Sequence, residues 1–260
     1  MPERLVKFSA QDAVGFITLD RPPANSFEIS FIRHLDEAIT LANESTAIKA
    51  VVIKSASEKF FSAGADIKAF HANDVADNVE LIRVAHQTFD KIAASQKVFV
   101  AAINGHALGG GLEVALASDL RFAAEGAYTI GLPEVTLGLL PGAGGTQRLS
   151  RLIGSSRALE LMITGERISP VDALQLGIVN RLFPAHELLD QTENFARGLT
   201  EGATVAIGAI KQAIHRGRNL DLAAGLALER ELIEMLFNTD DAKEGFAAFT
   251  EKRPPVYQGS

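Results

Sequence analysis

The stretch that most constrains this chain is an apolar segment, Val98-Phe99-Val100-Ala101-Ala102-Ile103, that feeds directly into Gly105-His106-Ala107-Leu108-Gly109-Gly110-Gly111-Leu112-Glu113. The apolar run predicts a strand, and Glu113 to Ala117 predicts a helix, so the glycines sit at a strand-to-helix junction. Tight packing would explain one glycine there. Three in a row, Gly109-Gly110-Gly111, are costly in backbone entropy, and backbone N–H groups aimed at a ligand account for them better. A helix N-terminus at that point adds partial positive charge where negative charge can develop. Further on, Gly131-Leu132-Pro133-Glu134 supplies a second carboxylate to set beside Glu113.

The same alternation of strand, loop and helix runs along most of the chain. Val14 to Leu19 predicts a strand closed by the turn Asp20-Arg21-Pro22-Pro23, and Ala50 to Ile53 predicts a short buried one. Phe31, Ile32, Leu35, Ala38 and Ile39 fall at helical intervals, as do Leu81, Ile82, Ala85, Phe89 and Ile92. Phe60 to Asp66 reads as a loop running into Ile67-Lys68-Ala69-Phe70, while Leu120–Ala123 and Ala127–Ile130 read as short strands. From about Phe195 to Thr250 nearly everything is helical in pattern, which predicts a core over 1–195 and a helical region over 196–260. The broad apolar face from Ala223 to Phe237 fits either packing within the subunit or an oligomer contact.

Several functional classes are excluded early. The formal net charge of -7 argues against broad binding to nucleic acid or to an anionic membrane, although local cations or N–H groups can still hold a small anion. With no cysteine there is no disulfide, thiolate metal site or cysteine nucleophile, and the six histidines show no metal-ligand spacing. The N-terminus lacks a signal region and no apolar run reaches membrane-spanning length, so the expectation is a soluble, cytoplasmic protein without metal. Gly109-Gly110-Gly111 fails the dinucleotide fingerprint at Val114, and Gly142-Ala143-Gly144-Gly145-Thr146-Gln147 fails it at Gln147. Neither run has the lysine of a phosphate-binding loop, and Phe60-Phe61-Ser62-Ala63-Gly64 lacks the first glycine of a nucleophile elbow.

Alone, Glu113 would pass for a solvated helix residue and Glu134 for the opening of a helix after Pro133. Their surroundings sharpen both. Glu113 lies two residues past the last glycine, and Glu134 precedes the apolar Val135-Thr136-Leu137-Gly138-Leu139-Leu140. A carboxyl in apolar surroundings tends to a raised pKa and serves as proton donor or base.

At this point the residues resemble the enoyl-CoA hydratase/isomerase (crotonase) superfamily. The resemblance is dispersed over almost the whole chain: Leu19-Asp20-Arg21-Pro22 with Ala24-Asn25, Ser62 to Lys68, Ala101 to Glu113, Gly131 to Glu134, Pro141 to Leu149, and Phe249 to Arg253. It implies an α/β fold, a spiral of ββα units followed by a helical C-terminal trimerisation region, with trimers often paired into hexamers. It implies an acyl-CoA thioester as substrate, with no cofactor besides the coenzyme A that the substrate carries. The family's two oxyanion-hole N–H groups match Ala65 and Gly110, and the paired glutamates of its hydratases match Glu113 and Glu134. In those hydratases the first helps activate water for attack at C3 and the second supplies the proton to C2. The resemblance carries over Ala63, Asp66, Ile67 and Lys68 as substrate binders, and Lys252 toward the nucleotide end of coenzyme A in a neighbouring subunit. Lys68 and Lys252 by themselves read as solvated lysines. Isomerases of the family usually keep only the carboxylate matching Glu134, so retention of both implies hydration. An isomerase, another enolate chemistry, or a non-catalytic acyl-CoA-binding homologue are the alternatives.

Two departures stand out. Ala127 to Pro133 is one residue longer than in compact hydratases and resembles the hydratase part of multifunctional fatty-acid oxidation enzymes, and Val98 stands where relatives often have Pro.

Overall fold

In a computed structural model that describes residues 4–260, the three turns after an opening hairpin each give one strand to a large sheet, one to a small sheet, and then helix. The antiparallel hairpin β1 (Val6–Gln11) and β2 (Val14–Leu19) starts the large sheet, and α1 (Ile29–Glu44) follows. The next turn is β3 (Ala50–Ser55), β4 (Phe60–Ser62), α2 (Ile67–Ala72) and α3 (Val75–Ala94). Then come β5 (Val98–Ile103), β6 (His106–Leu108) and α4 (Gly110–Ala117). The following turn has β7 (Leu120–Ala124), β8 (Ile130–Gly131), a single 3-10 turn over Glu134–Leu137 and α5 (Gly145–Ile153). The large sheet runs β1-β2-β3-β5-β7-β10, with β10 at Arg181–Phe183, and all its pairs beyond the first are parallel. The small sheet runs β4-β6-β8-β9, with β9 at Arg167–Ile168 antiparallel to β8.

The spiral is held by apolar faces read directly from the periodicity. Every residue of β5 is buried, as expected of a strand covered on both faces. The α1 stripe Phe31, Ile32, Leu35, Ala38, Ile39 and Ala42 and the α3 stripe Leu81, Ala85, Phe89 and Ile92 are buried in the same core. Polar ties lock the two helices together at their margin: Lys91 Nζ donates to Asp36 Oδ2 at 2.7 Å, and Thr88 donates to Asp36 Oδ1 at 3.2 Å.

Three local readings change. β1, not among the expected strands, alternates Val6, Phe8 and Ala10 with Lys7, Ser9 and Gln11, and as an edge strand it is mostly in contact with solvent after Val6. The stretch beginning at Phe60, expected as a loop, contains the short strand β4. The strand expected at 127–130 shrinks to Ile130–Gly131, because the Tyr128 side chain turns inward and its hydroxyl lies 3.0 Å from the Ile103 carbonyl and 2.7 Å from that of Ala124.

The rest of the chain is helical apart from β9 and β10: α6 (Ser155–Thr164), α7 (Pro170–Gln175), α8 (Leu188–Thr200), α9 (Thr204–Gly217), α10 (Leu222–Phe237) and α11 (Asp240–Glu251). Residue 195 lies inside α8, which packs across β2, β3, β5 and β7 as part of the core. α9 is anchored by the buried Lys211, whose ammonium donates to the carbonyls of Ile92 and Lys97, each at 2.7 Å, and pairs with Asp119 at 2.9 Å. Beyond it the apolar face finds no cover within one chain: Leu228 is the buried residue of α10, while Leu222 is 79% and Phe249 87% exposed. No helix among the described residues is long and apolar enough to cross a membrane.

Phe99 is fully buried in β5. Phe99→Ala is expected to destabilise the fold by about 3–5 kcal/mol, read as a lower urea midpoint with an unchanged slope.

Candidate active site

Three neighbouring parallel strands of the small sheet stop at one place, and each hands over a different part of the site. β4 leads into Ala63-Gly64-Ala65, β6 into Gly109-Gly110, and β8 into Leu132-Pro133-Glu134. The chains approach so closely that only glycine fits. A Cβ on Gly111 would lie 2.3 Å from the Ser62 carbonyl oxygen, and one on Gly64 would lie 2.6 Å from that of Leu108 and 2.8 Å from the Gly110 nitrogen. Gly64 (φ +81°) and Gly109 (φ +52°) also adopt left-handed backbone that side chains disfavour.

Phe27 aims the donor at Ala65. Its N–H donates to the Gly64 carbonyl at 2.7 Å and its carbonyl accepts from the Asp66 N–H at 2.9 Å, a parallel bridge that bracketing Ala65 turns the Ala65 N–H the other way. The Phe27 ring lies where a Gly110 side chain would go, 2.9 Å from the Cβ position. Behind it Asn25, buried with a left-handed φ of 51°, donates to Ser55 Oγ at 2.8 Å and to the Phe61 carbonyl at 3.0 Å, so the turn after β2 is fastened to β3 and β4. The N–H groups of Ala65 and Gly110 have no acceptor among the described residues. Gly110 is the first residue of α4 and its cap, Gly109, has no side chain to satisfy it. Two adjacent unengaged donors at a helix N-terminus make a cradle for negative charge on an oxygen.

The two carboxyls stand beside this cradle in different settings. Glu113, buried on the first turn of α4, accepts at Oε1 from the N–H of Ala143 and of Gly145, each at 2.7 Å. Burial pushes its pKa up, and those two N–H groups pull against it. Gly145 must lack a side chain, since a Cβ would lie 3.0 Å from Glu113 Oε1. Glu134 opens the 3-10 turn; a Cβ on Gly109 would lie 3.0 Å from its Oε1, and its Oε2 is buried with no hydrogen-bond partner among the described residues. Burial first, and then the charge of Glu113, push the Glu134 carboxyl up to about 7. One carboxyl is thus held by donors, and the other is poised to carry a proton near neutrality.

Ala65, Gly110, Glu113 and Glu134 therefore converge, and Ala63 sits beside them, its N–H taken by the Ala24 carbonyl at 2.9 Å. The carboxylate of Asp66 is engaged within the protein. It caps α2 through the N–H groups of Lys68 and Ala69 and accepts from Arg21 at 3.0 Å, and the Ala69 N–H first and Arg21 after it hold it below the usual carboxylate range. Ile67 and Lys68 lie exposed on the first turn of α2. Lys252 caps α11 in left-handed backbone and shares no hydrogen bond or ion pair with the cluster. Sequence reasoning passed over Phe27 and the donors of Ala143 and Gly145. The signal for the second of these is the Gly142–Gly145 run, whose glycines free backbone N–H groups just as Gly109–Gly111 do. Among the described residues no group of three His, Asp or Glu side chains is placed to hold a metal ion.

The family model for enoyl-CoA hydratase/isomerase matches residues 9–260, and the chain belongs to that family. It is 38% identical over 252 residues to the 2,3-dehydroadipyl-CoA hydratase of Escherichia coli K12, covering 96% of this chain and 97% of that one. It is 37% identical over 241 residues to the short-chain-enoyl-CoA hydratase of Clostridium acetobutylicum, covering 92% of each. A solved enoyl-CoA hydratase structure from Geobacillus kaustophilus HTA426 superposes with a TM-score of 0.97 at 44% identity, covering 100% of this chain and 98% of that one. The ββα spiral with its C-terminal helices is thus the crotonase fold.

The raised pKa has a stability consequence of definite sign. A carboxyl lifted from 4.5 to about 7 binds its proton more tightly in the folded chain, so its contribution is complete below pH 4.5 and lost as the pH climbs through about 7. Glu134→Gln removes that dependence. Its melting temperature relative to wild type is expected to rise between pH 5 and pH 8, by several degrees if the gain is roughly 1–2 kcal/mol, and to level off beyond; a difference that stays constant with pH refutes the assignment.

Proposed function

We propose that this chain is an enoyl-CoA hydratase, adding water reversibly across the trans-2 double bond of an enoyl-CoA thioester. The observation that carries the reading is the pairing of two unengaged main-chain donors, at Ala65 and Gly110, with two carboxyls of unequal character, Glu113 buried and Glu134 half-buried. The thioester oxygen accepts from both N–H groups, and the α4 N-terminus adds its partial charge. Water, held between the carboxyls, gives a proton to Glu113 as its oxygen bonds to C3. The electron pair of the double bond moves into the thioester as an enolate, which the cradle stabilises; one such donor is worth about 3 kcal/mol of barrier. Glu134 then delivers its proton to C2, and exchange with solvent resets both carboxyls. The two N–H groups on Glu113 fix the basic oxygen, while the apolar setting of Glu134 keeps a proton available near pH 7.

In this reading the loop through Ala63, Asp66, Ile67 and Lys68 borders the coenzyme A, with Asp66 shaping the loop as the cap of α2, and Lys252 serves a neighbouring subunit. The uncovered apolar surface of α10 and α11 supports self-association; the assembly we propose is a homotrimer or a dimer of trimers, in the cytoplasm, with no cofactor besides the coenzyme A of the substrate.

Glu113→Gln and Glu134→Gln are each expected to lower kcat for hydration of crotonyl-CoA by about 10²–10⁴-fold with the fold retained, followed by loss of the conjugated-thioester absorbance. Undiminished turnover in both variants would overturn the roles. The isomerase reading rests on the buried, partnerless Oε2 of Glu134; it gains if Glu113→Gln still isomerises a 3-enoyl-CoA at the wild-type rate.

A further inference from the structure

The donors that hold Glu113 belong to the segment Pro141–Gly145, buried except at the half-buried Gly142, and glycines do not hold a shape unaided. What fixes this loop lies on its outer side. The carbonyl of Gly142 is 2.7 Å from Nε2 of His86, a residue of α3 that is 56 positions away in sequence. A carbonyl can only accept, so Nε2 carries the hydrogen, which both the neutral Nε2–H tautomer and the imidazolium satisfy. The same peptide unit supplies the Ala143 N–H that donates to Glu113 Oε1 at 2.7 Å. In a planar trans peptide the C=O and N–H point in opposite directions. One rigid plane is therefore gripped on its outer edge by His86 and presents its inner edge to Glu113.

A second tie secures the next peptide. Arg148 Nη1 donates to the Ala143 carbonyl at 2.9 Å, and its Nη2 donates to Asp90 Oδ1 at 3.1 Å. Asp90 lies one turn after His86 on α3, so both ties reach the loop from the same helix. The guanidinium fits only because position 144 is glycine, at φ +106°, where a Cβ would lie 2.1 Å from Nη1.

We propose that His86 is a positioning residue for Glu113, acting through the Gly142–Ala143 peptide and not on the substrate. The kinetic part of this inference rests on the hydratase reading; the structural part does not. His86→Ala is expected to lower kcat for crotonyl-CoA hydration roughly three- to tenfold, the loss expected for one hydrogen bond, with KM within about twofold and an unchanged oligomeric state. His86→Gln, whose side-chain amide can donate to the same carbonyl, is expected to recover most of the rate. Amide hydrogen exchange at Ala143, followed by NMR, reports the same bond without turnover: protection is expected to fall about tenfold in His86→Ala and to persist in His86→Gln. An unchanged kcat in His86→Ala, or a His86→Gln enzyme as slow as His86→Ala, would refute the positioning role. Unchanged protection at Ala143 in His86→Ala would refute it as well, even if wild type turned over no enoyl-CoA. Absence of wild-type hydration alone would instead overturn the functional reading.

Discussion

Everything at this site depends on backbone meeting backbone where β4 ends and α4 begins. Gly111 lies against the Ser62 carbonyl, and Gly64 against the Leu108 carbonyl and the Gly110 nitrogen, at separations that leave no room for a methyl group. That contact brings the Ala65 and Gly110 donors side by side. It also sets the start of α4, and with it the location of Glu113, which follows three residues later. The small sheet completes the arrangement, since the Gly109 N–H donates to the Gly131 carbonyl at 2.9 Å and so delivers Glu134 to the same spot. Close packing of this kind has few degrees of freedom, and the geometry it fixes is not easily relaxed.

The two carboxyls illustrate how the fold differentiates identical side chains. Glu113 is the more deeply buried, yet it has two N–H groups at one oxygen to offset the loss of water. Glu134 has an oxygen with no donor and a like charge beside it, so its proton is the harder to remove. The difference originates in the loops: Gly142–Gly145 can fold its N–H groups inward because glycine tolerates the required backbone, whereas in the 3-10 turn after Pro133 the Thr136 N–H turns back to the Pro133 carbonyl, and Glu134's own N–H offsets burial and the Glu113 charge only in part.

Much of this could be read from the residues. The apolar intervals of α1 and α3 placed those helices, and the glycine run marked the strand-to-helix junction that the structure has. What escaped was of two kinds. β1 alternates apolar and polar residues but is largely exposed and so adds little to the core, while β4 has three residues, too few to show a period, and pairs with β6, distant in sequence. The partners of the site were hidden for a related reason. Phe27 looks like an ordinary core aromatic, and only the bridge to Ala65 gives it a second task. His86 sits on the polar side of a helix, where nothing in its local pattern distinguishes it from a solvated histidine.

A cradle made of main chain has a consequence for how such an enzyme can change over time. Its donors carry no side-chain identity, so most substitutions at Ala65 or around it leave them intact, provided the glycines remain. The two carboxyls, in contrast, are single replaceable side chains on separate elements. On the proposed reading, capture of a charged oxygen is inherited with the topology, while the fate of whatever forms there is written in two codons. Under the proposed function, one alteration at position 113 or 134 changes the proton chemistry and leaves the scaffold as it is.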